Sequence, residues 1–297
     1  MERAHFALWG ALRTFVARAC DGRDATHGLL HMQTVAERAV MIWLSDYQSQ
    51  SLTAPTYGAL RGADALSDIE LTKLRSIPSM GITDASDSPN HFRRAMLARV
   101  ILVAMLHDVN DHKYDDAEGS LTKSVEAHID TIIEAHGDLL SLSSETASSA
   151  TFPPLSRTAV LDTMSAISFS KENKKGMRYY TESLGPNWTL IRDVVSDADK
   201  LEAIGESGLV RCWEFGLTSH CPPGKSGAID ASADVDRARR QAQLLQRVKD
   251  HADEKLFLLT SNFMSTPTGR FLGSGRDDDM KALLDKWSAD STLLPPM

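Results

Sequence analysis

Apolar residues recur along this chain at intervals of three and four, and no stretch alternates in the manner of a half-buried strand. Phe6, Leu8, Trp9, Leu12, Phe15 and Val16, with Arg3, Arg13 and Arg18 interspersed, predict an opening helix. "CDGRDATHG" then reads as a turn. A second helix is expected from about His27 to Tyr47, striped by Leu30, Val35, Ala39, Ile42 and Trp43. A third covers 91–109. Further helices are expected over 121–137, closed by Gly137, over 155–169 after Pro153-Pro154, over 187–205, over 231–260 and over 277–288. In the 187–205 segment Trp188, Ile191, Val194, Val195, Ala198, Leu201 and Ile204 face inward. "SKENKKGMRYYTESLGP" and "SHCPPGKSGAIDAS" read as loops, the first exposed and basic. The pattern is that of an all-α protein with no internal repeat.

Two polar stretches interrupt it. Residues 48–90, rich in Ser, Thr, Gly, Pro and Asp, read as a long insertion or lid between the second and third main helices. Within them "ALSDIELTKLRSI" predicts a short helix capped by Ser67. Residues 138–154 read as a linker loop. Neither has the apolar content of a separate domain, so a single domain over 1–297 is expected.

Composition narrows the partners. The chain has 297 residues, 42% hydrophobic and 24% charged, with a net charge of −8. That charge argues against a nucleic-acid polymer as partner, but allows a small anion in a local positive pocket. No apolar run approaches the roughly 20 residues needed to span a bilayer. Glu2 and Asp21 count against a targeting leader, so a cytoplasmic location is expected. Cys20, Cys212 and Cys221 are odd in number and widely spaced, which fits reduced thiols, and the lack of a Cys-x-x-Cys argues against a structural zinc site on thiolates.

The chemistry begins where the third helix ends. Ala98 to His107 carries one charge and suits a core, yet it runs directly into His107-Asp108. Burying a carboxylate is costly unless something compensates it, and a metal ion would. His27 and His31, four apart, are expected on one face of the second helix. Asp197 and Asp199 interrupt the apolar stripe of 187–205. His31, His107, Asp108 and Asp199 together offer two imidazoles and two carboxylates. Such mixed ligands suit a six-coordinate divalent ion such as Mn²⁺, Fe²⁺ or Co²⁺, with water at the open positions. A site of that type is catalytic in character, because its water is exchangeable or activated.

These pieces stand in a familiar order. "THGLLHMQTVAERA" (26–39), "LHDVNDHKY" (106–114), "ISFSKE" (167–172), "SDADKLEAIGESGLVRCWEFG" (196–216) and a tail running from "HADEKLFLL" through "TPTGRF" to "KALLDKW" resemble the HD-domain metal-dependent phosphohydrolase superfamily, in particular its small nucleotide-hydrolysing members. The resemblance covers most of the chain outside 48–90 and 138–154. Thr34 departs from it, standing where the family commonly has Arg before Val-Ala.

The resemblance implies a helical HD bundle whose metal ligands are His31, His107, Asp108 and Asp199, Asp199 being preferred because it directly precedes the basic Lys200. Asp197 is then either an acceptor that orients an imidazole or a surface acid. Asp111 matches the acid that positions or deprotonates the attacking water. Lys200, Lys113 and Arg211 match groups that neutralise phosphate oxygens, with His27, Ser168 and Lys171 as further substrate contacts. One divalent ion is expected, Mn²⁺ first and Mg²⁺, Co²⁺, Fe²⁺ or Ni²⁺ as substitutes. His128 and His136 are spaced poorly for a second one. The implied activity is cleavage of a phosphoester or phosphoanhydride, of a nucleotide before other phosphate esters, by a protein able to form oligomers. The alternatives are an HD-type di-iron oxygenase and a catalytically silent nucleotide-binding protein.

Overall fold

A computed structural model describes residues 1–23, 27–47, 89–142, 153–220 and 231–296. Among these the chain is helical and contains no strand. The helices are α1 (Arg3–Ala19), α2 (Leu29–Asp46), α3 (Pro89–Leu106), α4 (Ser120–Leu140), α5 (Arg157–Ser165), α6 (Phe169–Lys175), α7 (Thr181–Ala203), α8 (Glu206–His220), α9 (Ala231–His251) and α10 (Pro267–Ala289). Two π-helical turns, Ala252–Leu256 and Leu259–Phe263, follow α9, and a 3₁₀ turn, Ser291–Leu293, follows α10. No described helix is long and apolar enough to cross a membrane. The expected insertion at 48–90, its short helix and Ser67 cap, and most of the 138–154 linker lie outside the described residues, except that 89–90 open α3 and 138–140 close α4.

The chain divides into two compact units. One comprises 1–199 and 265–269, the other 200–264 and 270–297. In the first unit α3 is the central element and packs against α1, α2, α4 and α5. From Ala95 to Leu106 every side chain on it is buried, including that of Arg99. A helix apolar on all sides belongs inside a bundle. Arg99 is tolerated there because its Nε donates to the Leu140 carbonyl at 2.7 Å and its guanidinium stands 5.0 Å from the Trp188 ring centroid. In the second unit α8 packs on α9, and Trp213 meets Trp287 edge to face at 6.0 Å.

Several element boundaries differ from the sequence reading. His27 precedes α2, which opens at Leu29 with Gly28 as its N-cap. Gly137 does not end α4; the helix bends at His136 (φ −124°, ψ 19°) and continues to Leu140. The basic stretch after Ser168 is a short helix, α6, whose cap is the Ser168 hydroxyl accepting from the Lys171 N–H. Its lysines are exposed, as expected of the stretch, but Glu172 among them is fully buried in an ion pair with Arg192 at 2.7 Å. Gly185 (φ 67°) and Pro186 interrupt α7 near its start. The helix α8 is additional, and α10 begins ten residues before the expected 277.

A candidate metal centre beside an open cleft

The third helix ends at Leu106, and His107 occupies the turn that follows. Its side chain is 4% exposed, and its Nδ1 lies 2.8 Å from the Ala104 carbonyl. A carbonyl only accepts, so Nδ1 carries the proton and Nε2 presents its lone pair when the ring is neutral. That Nε2 faces Asp199 Oδ1 at 3.7 Å. His31, buried on the first turn of α2, brings its own Nε2 to 3.6 Å from the same oxygen. The two imidazole rings stand 5.2 Å apart. One donor atom each from His31, His107 and Asp199 lie within 4.8 Å of one another, a spacing able to hold a metal ion.

Asp108 turns to a neighbouring group. Its carboxylate gathers with His27 and Asp111, again with donors within 4.8 Å of one another. The expected four-ligand set is therefore seen as a triad plus an adjacent second cluster. Burial pushes the Asp108 carboxyl up, with the charges of Asp199 and Asp111 adding to it while His107 pulls it down. Burial also disfavours a charged His107, but the hydrogen bond and charge of Asp199 outweigh it and raise its pKa.

Asp111 projects from the turn after His107-Asp108. Burial would raise its pKa, yet the Lys113 N–H at 3.0 Å and the Lys113 ammonium at 2.9 Å hold it below the usual carboxylate range. Arg23 pins the whole turn, donating to the Asp108 and Val109 carbonyls at 3.3 and 2.6 Å while its guanidinium lies 4.2 Å from the Tyr114 ring. Tyr114 in turn stands 5.7 Å from the His27 ring. Nothing local in the sequence marks Arg23, because its partners are more than eighty residues away.

A cleft of about 740 Å³ opens beside this centre, and its lining includes His107, Asp108, Asp111, Lys113, Asp199, Ser168 and Lys171. Lys171 is held there by the Ser165 carbonyl and hydroxyl at 3.0 and 2.5 Å. Glu126 and Asp162 add acid to the lining, and Leu161, Met164 and Ile167 add apolar surface.

Lys200 and Arg211 do not line this cleft. Lys200 is buried, and Arg211 donates to the Glu202 carbonyl within the second unit. Asp197 is not a surface acid. It is fully buried, and its carboxylate accepts from the backbone of Ser265 and Thr266 and from the Thr266 hydroxyl. His128 stacks on Phe15 at 3.9 Å and contributes to neither donor group.

No family model and no curated protein matches the chain. Solved structures do resemble it. YpgQ of Bacillus subtilis in its selenomethionine form aligns with a TM-score of 0.51 at 20% identity, over 96% of this chain and 97% of that one. The same protein in complex with ADP aligns with a TM-score of 0.50 at 19% identity, over 97% of this chain and 96% of that one. The likeness is one of fold.

Proposed function

We propose that this protein is an HD-type metal-dependent phosphohydrolase acting on a nucleotide. The observation that carries the reading is the convergence of His31, His107 and Asp199, which come from three separate parts of the chain. Two neutral nitrogens and one carboxylate oxygen suit a divalent first-row ion and leave positions open. Asp108, one residue from His107, stands within the same stretch to complete the set. When bound, such an ion supplies positive charge for a phosphate oxygen and lowers the pKa of water.

The chain's own groups then divide the remaining work. Asp111, kept ionised by Lys113, accepts a hydrogen bond from the attacking water and sets its direction. Lys113 and Lys171 flank the cleft as cations, meeting the charge of phosphate oxygens that would otherwise repel Asp108, Asp111 and Asp199. Ser168 offers a hydroxyl in the same lining. The apolar lining gives a base or sugar a surface to rest on. That Bacillus subtilis YpgQ was solved with ADP agrees with a nucleotide in a cleft of this fold.

The test is a release assay for phosphate and pyrophosphate over nucleoside mono-, di- and triphosphates with Mn²⁺, Mg²⁺ or Co²⁺. Turnover is expected with at least one pair and should fall to background in His107→Ala and Asp199→Ala. Release unaffected by both substitutions, or none from any nucleotide, would defeat the reading.

One observation favours a second reading. The His27, Asp108 and Asp111 group lies next to the triad and could hold a further ion, as a dinuclear oxygenase requires. Two iron ions per chain with oxygen consumption would support it, and one ion per chain with phosphate release the first.

A further inference from the structure

Residues 265–269 contribute nothing to the donor triad, yet two buried carboxylates engage them. Asp197 accepts from the Ser265 N–H at 2.9 and 3.0 Å, from the Thr266 N–H at 2.6 Å and from the Thr266 hydroxyl at 2.8 Å. Asp46 accepts from the Thr268 N–H at 3.1 Å and the Thr268 hydroxyl at 2.5 Å. Neither carboxylate is exposed at all. Asp46 is the last residue of α2, the helix that carries His31, and Asp197 lies on α7 two residues before Asp199. One five-residue segment therefore grips both helices that supply ligands from outside the His107 turn.

We infer that this segment is a positioning strap for the metal centre, with Asp197 and Asp46 as its two anchors; the inference rests on the metal-site reading above. Residues two apart on a helix project about 200° from one another, so Asp197 is held on the side of α7 away from Asp199. Fixing that side fixes the rotation of the helix. A carboxylate oxygen stands ~5 Å from the helix axis, so a roll of ~10° moves Asp199 by nearly 1 Å. Metal–ligand distances tolerate only about 0.2 Å. Asp46 does the same work at the far end of α2, where a sideways shift would carry His31 with it.

Gly269 shows how closely the strap fits. A Cβ there would stand 2.5 Å from Asp197 Oδ2 and 2.7 Å from Thr266 Oγ1. The carboxylate is held by three donor groups, so a methyl group at 269 must either break that hold or shift the segment. The competing role for these contacts is that Asp197 merely anchors the start of α10. That role predicts changes in stability and none in metal affinity.

The test uses the full chain, freed of metal, with Thr268→Val, Thr268→Ser and Gly269→Ala. Each is first confirmed folded by circular dichroism at the assay temperature, then titrated with Mn²⁺ calorimetrically and with Co²⁺ by absorption. Thr268→Val and Gly269→Ala are expected to weaken Mn²⁺ binding about 10–100-fold and to alter the Co²⁺ band. Thr268→Ser, which keeps the hydroxyl, should retain wild-type affinity. Wild-type affinity in folded Thr268→Val and Gly269→Ala would overturn the strap while the metal site stood. A wild-type protein that binds neither ion would overturn the metal reading itself, and the strap with it.

Discussion

His107 joins two tasks in one ring. Its Nδ1–H is committed to the Ala104 carbonyl, which aims Nε2 at Asp199 without any help from a distant carboxylate. His107→Ala should therefore abolish Mn²⁺ binding while leaving the fold intact, as calorimetry and circular dichroism together would register. Asp111 is different, because it belongs to the neighbouring group and is tied to Lys113. Asp111→Asn is expected to lower kcat by about 10²–10⁴-fold with Mn²⁺ affinity retained, a separation that steady-state kinetics and calorimetry would reveal. Most of these residues are legible in the sequence, since a His-Asp pair closing an apolar helix and an acid within an apolar stripe are both anomalies. Arg23 is not, because its role is set by carbonyls that approach it only in the folded chain.

At the scale of elements, the network around Arg192 explains why the basic stretch after Ser168 folds. The buried guanidinium meets Glu172 at 2.7 Å, the Tyr180 hydroxyl at 2.6 Å and the Ala166 carbonyl at 2.9 Å. It thus ties α6 and the end of α5 to α7. Arg192→Leu would strand Glu172 in the interior and should cost about 3–5 kcal/mol, read from the urea midpoint. The lysines are exposed as the sequence suggests, but the helix is not legible among them, because the one buried acid there pairs with a residue twenty positions away. The helix α8 escaped for another reason. Gly208 and Gly216 thin its apolar stripe, although Leu209 and Trp213 are fully buried.

In the second unit, burial pushes the Asp277 carboxyl up to about 6, partly offset by the Thr260 hydroxyl that donates to it at 3.2 Å. The folded state thus holds this proton to higher pH than the unfolded chain does. The stability it contributes is complete below about pH 4 and is lost as pH rises through 6. Asp277→Asn should accordingly stabilise the protein by about 1 kcal/mol at pH 8, a figure discounted for solvent screening of a half-buried group. The gain should vanish near pH 4, as paired urea titrations at the two pH values would show.

For the whole molecule, a metal that binds only the folded chain must stabilise it. Mn²⁺ at a hundredfold excess over its Kd contributes about 2.7 kcal/mol. For a chain of this length that should raise the melting temperature by roughly 4 °C. EDTA should reverse the shift, and His107→Ala should show none. A shift that survives in His107→Ala would place the ion elsewhere.

The sequence by itself determined the all-helical class, the main helices of the first unit and the identity of the anomalous polar residues. Each of these follows from local periodicity, or from the free energy of placing a charge among apolar neighbours. Only the tertiary structure decided which of those residues meet. Ligand geometry depends on helix rotation and on distances to partners far along the chain, which no local pattern records. It gathered His31, His107 and Asp199, set Asp108 with His27 and Asp111, and turned Asp197 away toward Ser265 and Thr266.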